Sequence, residues 1–346
     1  MRQQMMIDLD TGIDDSLALV YLLASPEARI RGIASTGGNV TARQVAANNL
    51  AWLDVCGAPD IPVALGAEAP ILDELRTSEE THGPQGIGYA ELPAARRELS
   101  PLSAAELWVK LAREHEGTLV GLVTGPLTNL ALALDLEPRL PEMLSRLVIM
   151  GGAFHHPGNT TPSTEWNISV DPEAAKQVFD AFGAAETHPL PIVCPLDLTE
   201  RIILRPDDVS ALAEVAGVPG EVIAPDDPLG ERSTSPNPLI RHLSDAIRFY
   251  MEFHRAYDQG FIAHMHDPFA AAIALNPHWA KTRAATVDVE LSGTITRGTT
   301  VADWAGMWGR HPNADIASDT DPEAFLAHLV ERVGSFAASL TADGQR

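Results

Sequence analysis

Cysteine and positive charge are both scarce in this sequence. Its 346 residues include two cysteines, and Cys56 and Cys194 stand too far apart for a disulfide framework or a CxxC zinc motif. This usage fits a reducing compartment. Lys and Arg number 24 against 47 Asp and Glu, which makes the formal net charge −23. Nucleic acids and anionic membranes need a basic surface, so the composition argues against both as partners.

Long hydrophobic runs are also missing. No stretch of about 18 apolar residues occurs, and the chain passes from Met-Arg-Gln-Gln directly into an apolar pattern that carries aspartates. Neither a membrane span nor a signal peptide is predicted, and the expected location is the cytoplasm. With 45% hydrophobic and 21% charged residues, the composition is that of a soluble globular protein.

Short apolar runs typical of β-strands alternate with helical patterns along the chain. The predicted strands are Met5–Leu9, Arg31–Ser35, Ile61–Leu65, Thr118–Thr124, Arg146–Met150 and Leu190–Leu196. The predicted helices are Asp15–Ala24, Ala42–Val55, Ala104–Glu116, Leu127–Leu134 and Pro172–Phe182. This order favours an α/β fold with an open, mainly parallel, doubly wound sheet and helices on both faces. In such sheets, ligands bind at the carboxyl ends of the strands.

No clean linker divides the chain, so residues 1–346 are predicted to form a single domain. A late strand pair is expected at Val287–Leu291 and Thr294–Ile295, at the sheet edge, and a closing helix at Pro322–Leu340. The most biased segment, residues 217–238, is rich in Pro, Gly and Ser. It lies between two helical patterns, which favours a surface loop or an active-site flap over a domain linker.

Four aspartates crowd into the stretch DLDTGIDD at the end of the first predicted strand. Asp8 and Asp10 point to the same face because strand side chains alternate. Asp14 and Asp15 open the following helix, whose dipole favours negative charge. A helix cap with a surface acid explains one or two of these residues but not all four. A carboxylate-rich set without nearby Cys or His suits a hard cation, Ca²⁺ or Mg²⁺.

Three further polar stretches follow predicted strands. TGGNV at 36–40 is by itself a common turn signal, and the loop 148–175 with Asn159, Glu165 and Asn167 can be read as a polar surface loop or a polyhydroxyl site. The Thr-Gly-Pro turn in LVTGPLTNLA, residues 122–131, exposes backbone carbonyls that suit a hard cation. In a fourth stretch, AHMHDPF, Asp267 is the expected N-cap of a Pro-initiated helix. His264 and His266 form an HxH pattern, but no third soft ligand nearby supports zinc.

These motifs, in this order, resemble the inosine–uridine-preferring nucleoside hydrolase family. The matching stretches are Asp8-Leu-Asp10-Thr-Gly-Ile-Asp14-Asp15, Gly38-Asn39, Thr124-Gly-Pro-Leu-Thr-Asn129, Asn159 with Glu165-Trp-Asn167, and His266-Asp267-Pro268. A lone DxD would be weak evidence. An acidic DxDxGxDD opening with four further motifs in order is specific, and the match covers most of the chain.

The resemblance implies hydrolysis of the N-glycosidic bond of ribonucleosides to free base and ribose. It implies a Ca²⁺ site and a Ca²⁺-bound water from which Asp10 takes a proton. The implied ligands are Asp10, Asp15, the Thr124 carbonyl and Asp267. The implied ribose contacts are Asp14, Asn39, Asn159, Glu165 and Asn167. His266 matches a position that helps the leaving base, His82 lies in a segment that approaches the base in relatives, and Asp8 supports the ligands. A homodimer or homotetramer is also implied.

Besides hydrolysis of a related N-riboside, such as a nicotinamide or modified-base nucleoside, two functions of other kinds remain open from the sequence. The first is a catalytically silent, Ca²⁺-dependent nucleoside- or ribose-binding protein on the same scaffold, although such a protein has no use for a general base. The second is a haloacid-dehalogenase-type phosphatase, whose DxD motif the DLDTG stretch imitates. That chemistry needs a phosphate-binding lysine, and lysine is scarce here. The preferred nucleobase is not predicted.

Overall fold

A computed structural model of the protein describes residues 2–185, 188–218, 220 and 223–343. The strands are β1 Gln3–Leu9, β2 Ala28–Ser35, β3 Val63–Leu65, β4 Leu119–Val123, β5 Leu144–Met150, β6 Ile192–Cys194, β7 Ile203–Leu204, β8 Ala263–His264, β9 Lys281–Val289, β10 Thr300–Asp303 and β11 Ala314–Asp319. The helices are α1 Ile13–Leu23, α2 Ala42–Val55, α3 Glu79–His82, α4 Ala104–Glu114, α5 Thr128–Leu136, α6 Leu140–Met143, α7 Trp166–Val170, α8 Pro172–Ala184, α9 Leu196–Thr199, α10 Pro206–Val215, α11 Pro238–Ala256, α12 His266–Leu275 and α13 Pro322–Asp343, with a 3₁₀ turn at Pro277–Trp279.

Nine strands form one sheet in the order β10-β9-β11-β6-β5-β4-β1-β2-β3. The seven strands from β11 to β3 are mutually parallel, whereas β9 is antiparallel to both of its neighbours. The strand order reverses at β1, which has β2 on one side and β4 on the other. Such a reversal opens a crevice at the carboxyl ends of the strands, and ligands bind there. The predicted mainly parallel, doubly wound α/β fold is confirmed.

The first strand shows why helices cover both faces of the sheet. Met5, Ile7 and Leu9 are fully buried in one hydrophobic cluster, and Met6 is fully buried in the other. Because side chains alternate along a strand, this near-continuous apolar run requires a packed layer on each side. None of the helices in the described ranges is both long and apolar enough to cross a membrane.

One predicted strand is wrong. The late strand pair exists and forms the sheet edge, but its second member is β10 at Thr300–Asp303, not Thr294–Ile295. The Arg297 amide donates to the Gly293 carbonyl (3.1 Å), which closes a turn through the predicted segment. Ile295 is 85% exposed in that turn, so its apolar side chain marks a loop and not a strand.

The Pro- and Gly-rich segment 217–238 packs along α11. Its residues 219, 221 and 222 lie outside the described residues. In the described part, Asp227 pairs with Arg248 (2.9 Å), and the Gly230 amide donates to Glu252 (3.1 Å). These contacts hold the segment against the face of α11 opposite the cavity described below, and none of its described residues lines that cavity.

Asp8 fixes the carboxyl end of β1 to three neighbouring elements. Its carboxylate accepts hydrogen bonds from Thr36 (2.5 Å), Asn129 (2.9 Å) and the indole of Trp108 (2.9 Å). Burial raises the pKa of Asp8, and these three donors oppose that shift. Asp8 is therefore a structural brace beside the crevice, and its oxygens are committed to the fold.

Replacing Trp108 by Phe tests this brace. The change removes a donor from a buried carboxylate, and we expect it to lower the free energy of unfolding more than Trp52→Phe by about 1 kcal/mol. Trp52 is an equally buried control whose indole donates to the neutral hydroxyl of Ser16 (2.9 Å). Urea denaturation measures both variants, and equal losses would contradict the role of Asp8.

Candidate active site

The acidic turn between β1 and α1 lies at the strand-order reversal. Asp10 follows the last residue of β1, and Gly12 is the N-cap of α1. The Gly12 amide donates to the Asp15 carboxylate (2.8 Å), so Asp15 closes the first turn of its own helix. Gly38 comes from the end of β2, and a Cβ on it would lie 2.2 Å from an Asp10 oxygen. Only glycine allows that close approach.

Four carboxylates meet at this turn without a cationic partner. Asp14, Asp15 and Asp267 each offer an oxygen within 4.8 Å of the others, and Asp10 lies beside them. All four side chains are buried, with exposures of 0–5%. Within the described ranges, no Lys, Arg or His forms an ion pair with any of them. The protein itself therefore does not neutralise this charge.

Burial and mutual repulsion shift the ionisation of the cluster. Burial, followed by the neighbouring Asp15 charge, raises the pKa of Asp14 to about 7. The same two causes raise the pKa of Asp10 well above its usual range. Burial and the charges of Asp14 and Asp15 do the same to the pKa of Asp267. Without a cation, burial and mutual repulsion therefore disfavour ionisation of all these carboxyls at the same time.

Hydrogen bonds give Asp10 and Asp15 different roles. Asp15 Oδ1 accepts from the Thr124 hydroxyl (2.6 Å), and its Oδ2 accepts from Gly12. Asp10 Oδ2 accepts from the Asn39 amide (2.9 Å). Asp10 Oδ1 is buried and has no hydrogen-bond partner among the described residues. A buried carboxylate oxygen without a donor is costly unless a cation or water satisfies it.

The donor set of the cluster fits a hard cation. It consists of carboxylate oxygens and the nearby Thr124 carbonyl, with no thiolate or imidazole. The Thr124 carbonyl accepts from the side-chain nitrogen of Asn167 (2.6 Å), and a carbonyl oxygen has a second lone pair for another partner. Asp10 Oδ1 supplies the unsatisfied oxygen that such a site requires. His264 and His266 belong to no metal-binding group found in the described part of the chain.

A cavity of about 580 Å³ opens above the cluster. It brings together the predicted site residues except Asp15, which lies fully buried behind the lining. The predicted residues in its lining are Asp10, Asp14, Asn39, His82, Thr124, Asn159, Glu165, Asn167, His266 and Asp267. Residues far apart in the chain, such as Asp10 and Asp267, thus share one site.

The polar wall of the cavity is held in place by the protein. Glu165 accepts from the amides of Gly152 (3.0 Å), Asn167 (2.8 Å) and Ile168 (3.0 Å), and so caps α7. Asn159 is exposed in its loop and accepts from the Trp166 amide (2.9 Å). The polar groups of this loop therefore also stabilise the local fold.

Asn39 is also engaged by the protein. Its side-chain oxygen accepts from the Ser78 hydroxyl (2.8 Å), and its side-chain nitrogen donates to Asp15 (3.4 Å). Its backbone amide holds Asp10. Asn39 therefore connects two of the buried carboxylates, a role that the turn signal in TGGNV does not predict.

The opposite wall is a continuous series of rings. Successive centroids lie 5.4 Å apart for His82 and Tyr250, 4.4 Å for Tyr250 and His254, 4.9 Å for His254 and His264, and 5.5 Å for His264 and His266. Burial lowers the pKa of His254 and of His264 to about 4, and that of His266 well below its usual value. These imidazoles are therefore neutral near pH 7.

Several residues of this wall were not predicted from the sequence. His254, His156 and Glu200 line the cavity, Thr199 contacts His266, and none of the four belongs to a motif. Thr199 and Glu200 lie at the end of α9, which follows the carboxyl end of β6, where functional residues are expected. The Thr199 hydroxyl lies 2.8 Å from His266 Nδ1 and holds that ring in place. His156 Nε2 lies 3.4 Å from the Glu200 carboxylate at the mouth of the cavity.

Comparisons with known proteins agree with this geometry. The family model described as inosine-uridine preferring nucleoside hydrolase matches residues 5–327. Over 332 residues the chain is 36% identical to the pyrimidine-specific ribonucleoside hydrolase RihA of Enterobacter sp. (strain 638), with 95% of this chain and 97% of that protein covered. It is 35% identical over 333 residues to the protein of the same name from Salmonella gallinarum, and the match covers 96% of this chain and 98% of that protein.

Solved structures show the same architecture. A purine-preferring ribonucleoside hydrolase from Gardnerella vaginalis superposes with a TM-score of 0.85 at 29% identity, covering 97% of this chain and all of that one. An inosine-guanosine nucleoside hydrolase superposes with a TM-score of 0.82 at 26% identity, covering 96% of this chain and 99% of that one.

The raised carboxyl pKa values predict competition between protons and a cation. Carboxyls whose pKa is raised by folding destabilise the metal-free protein as pH rises through about 7, where Asp14 loses its proton. Calcium displaces those protons, so we expect the Tm increase caused by Ca²⁺ to be larger at about pH 8 than at about pH 6.5. Differential scanning fluorimetry of chelator-stripped protein measures this, with KCl at equal ionic strength as the control. A calcium effect that is absent, or larger at the lower pH, would contradict the site.

Proposed function

The chain belongs to the inosine-uridine preferring nucleoside hydrolase family, and from that premise we propose that it cleaves the N-glycosidic bond of ribonucleosides with the help of Ca²⁺. The products are the free base and ribose. One observation carries the proposal: a single cavity joins a buried carboxylate cluster to a wall of neutral rings. The first surface suits a sugar that becomes cationic, and the second suits a nucleobase.

Asp10, Asp15, Asp267 and the Thr124 carbonyl would hold the Ca²⁺ ion. A bound Ca²⁺ would lower the pKa of a neighbouring water and help to orient the vicinal hydroxyls of the ribose. Asp14 shares the cluster and lines the cavity, so we assign it to the ribose hydroxyls together with Asn39, Asn159, Glu165 and Asn167. Hydrogen bonds within the protein already orient Asn39, Glu165 and Asn167, and Asn159, although exposed in its loop, accepts from the Trp166 amide.

Asp10 acts as the general base in this proposal. The Asn39 amide donates to its Oδ2, and its Oδ1 has no partner among the described residues, so the carboxylate keeps lone pairs both for the cation and for a proton from the attacking water.

The carboxylates also favour the transition state electrostatically. Cleavage of an N-glycosidic bond builds positive charge on the ribose, as in other glycoside hydrolyses with oxocarbenium-like transition states. Fixed negative charge beside that carbon stabilises the transition state more than the neutral nucleoside. The buried location strengthens this interaction because little water screens it.

The departing base needs assistance, since it leaves poorly as an anion. We assign this role to His266, which lines the cavity beside Asp267 and whose ring is held by Thr199. If the Thr199 hydroxyl donates to Nδ1, then Nε2 carries the proton and can donate to the base. Stacking on Tyr250 or Phe253, which line the same wall, contributes to binding the base.

The nucleobase is not assigned more narrowly than purine or pyrimidine. The similar proteins include pyrimidine-specific, purine-preferring and inosine-guanosine enzymes. Of the two alternative functions, the phosphatase has little support, because no Lys or Arg lines the described part of the cavity to bind phosphate. The cytoplasmic location and the homodimer or homotetramer stay predictions, and light scattering after size exclusion measures the second.

A panel of purine and pyrimidine ribonucleosides tests the proposed activity. We expect free ribose to be released from at least one of them, to stop in excess chelator and to return with added Ca²⁺. A reducing-sugar assay with base detection by chromatography measures both products. Binding without ribose release would favour the silent binding protein, and phosphate release from sugar phosphates would favour the phosphatase.

The variant Asp10→Asn tests the general base. It keeps the shape of the side chain but cannot accept the proton, so we expect kcat to fall by about 10²-fold or more while the nucleoside still binds. Asp60→Asn, a change at an exposed position, is the matched control and should keep the parental kcat. An Asp10→Asn protein with unchanged kcat would rule out this role.

A further inference from the structure

The short helix α3 is attached at both ends to residues that flank the acidic turn. At its start, Ser78 donates through its amide (3.0 Å) and its hydroxyl (2.8 Å) to Asn39. At its end, His82 Nδ1 accepts from the Ile13 amide (3.1 Å), 69 residues away in the chain. Asn39 contacts two of the buried carboxylates, and Ile13 directly precedes Asp14 in the sequence. The position of α3 is therefore linked to that of the cluster.

The Ile13 amide depends on His82 for a partner. It is the first amide of α1, and first-turn amides have no acceptor within their own helix. Ile13 is 1% exposed, and the preceding Gly12 amide already uses the Asp15 carboxylate. The imidazole reaches Ile13 because Gly12 has no side chain, since a Cβ there would lie 2.6 Å from His82 Nδ1. His82 thus acts as an N-terminal cap supplied from a distant segment.

This contact determines which ring nitrogen carries the proton. Because the Ile13 amide donates, Nδ1 must present its lone pair, and a neutral ring then has its proton on Nε2. Burial, followed by the nearby His254, lowers the pKa of His82 to about 3, which keeps the ring neutral. Tyr250 packs against the ring with centroids 5.4 Å apart and limits its rotation.

We propose that His82 is a positioning residue for the cation site, acting through the Ile13 amide on the first turn of α1 and hence on Asp14 and Asp15. This inference rests on the proposed Ca²⁺ site and adds a residue that touches none of its ligand atoms. Removal of a group that orients metal ligands commonly weakens the affinity of the protein for the metal by about tenfold or more. The same scale is expected for loss of the Nδ1 acceptor.

A pair of variants separates the acceptor from the rest of the ring. In His82→Asn the side-chain oxygen can take the place of Nδ1, whereas in His82→Gln the polar group moves to the place of Nε2. Calorimetric titration with CaCl₂ then compares Kd among the parent, His82→Asn and His82→Gln proteins. We expect His82→Asn to stay within about threefold of the parent and His82→Gln to weaken by about tenfold or more.

The outcomes distinguish this inference from the proposed function. If the parent protein does not bind Ca²⁺, the proposed site itself fails. If the parent binds and both variants bind equally well, only the role of His82 is overturned. A His82→Asn protein as weak as His82→Gln would also overturn it, because the Nδ1 acceptor would then not be the group that matters.

Nitrogen chemical shifts of the His82 ring give a test that needs no folded Gln variant. In ¹⁵N-labelled parent protein near pH 7, we expect the Nδ1 shift to be that of an unprotonated nitrogen and the Nε2 shift that of a protonated one. The signal that disappears in His82→Asn identifies the residue. The opposite tautomer, or a doubly protonated ring, would overturn the proposal.

Discussion

The structure depends on four carboxylates that are buried together without a protein counter-charge. Asp10, Asp14, Asp15 and Asp267 are each at most 5% exposed, and burial raises the pKa of each one. A protein gains nothing in stability from such an arrangement alone, because desolvated like charges repel. The arrangement is explained if a cation neutralises part of the charge and if the remaining negative charge stabilises a sugar that becomes positive during the reaction.

The fold supplies the rigidity that this crowding requires. β1 ends at the strand-order reversal, where three side-chain donors tie Asp8 to the residue after β2, to α4 and to α5. The next residues along the chain therefore leave the sheet in a defined direction, and Asp15 closes the first turn of α1. Hydrogen bonds that involve Asn39, Thr124 and His82 connect the same turn to the residues that follow β2 and β4 and to α3. The carboxylates are therefore held by contacts with the strands and helices around them.

Most of the parallel sheet could be predicted from apolar runs, because a strand buried on both faces needs a near-continuous hydrophobic sequence. The predicted helix Ala42–Val55 matches the structure at both ends, and Thr41 supplies its cap. The strand expected at Thr294–Ile295 failed because an exposed turn can contain β-branched residues as readily as a strand. At the site, the spacing of DLDTGIDD indicates a cation. It does not indicate that Asn39 and His82 are bonded to that turn, since those contacts depend on how distant segments fold together.

A crystal structure of the protein soaked in CaCl₂, with anomalous data, tests directly whether the buried carboxylates hold a cation. We expect one strong anomalous peak per chain in contact with Asp10, Asp15, Asp267 and the Thr124 carbonyl, and a partner for Asp10 Oδ1. A site that stays empty at saturating Ca²⁺, with the four carboxylates still clustered and protonated, would contradict this expectation. So would a peak bound only elsewhere on the acidic surface.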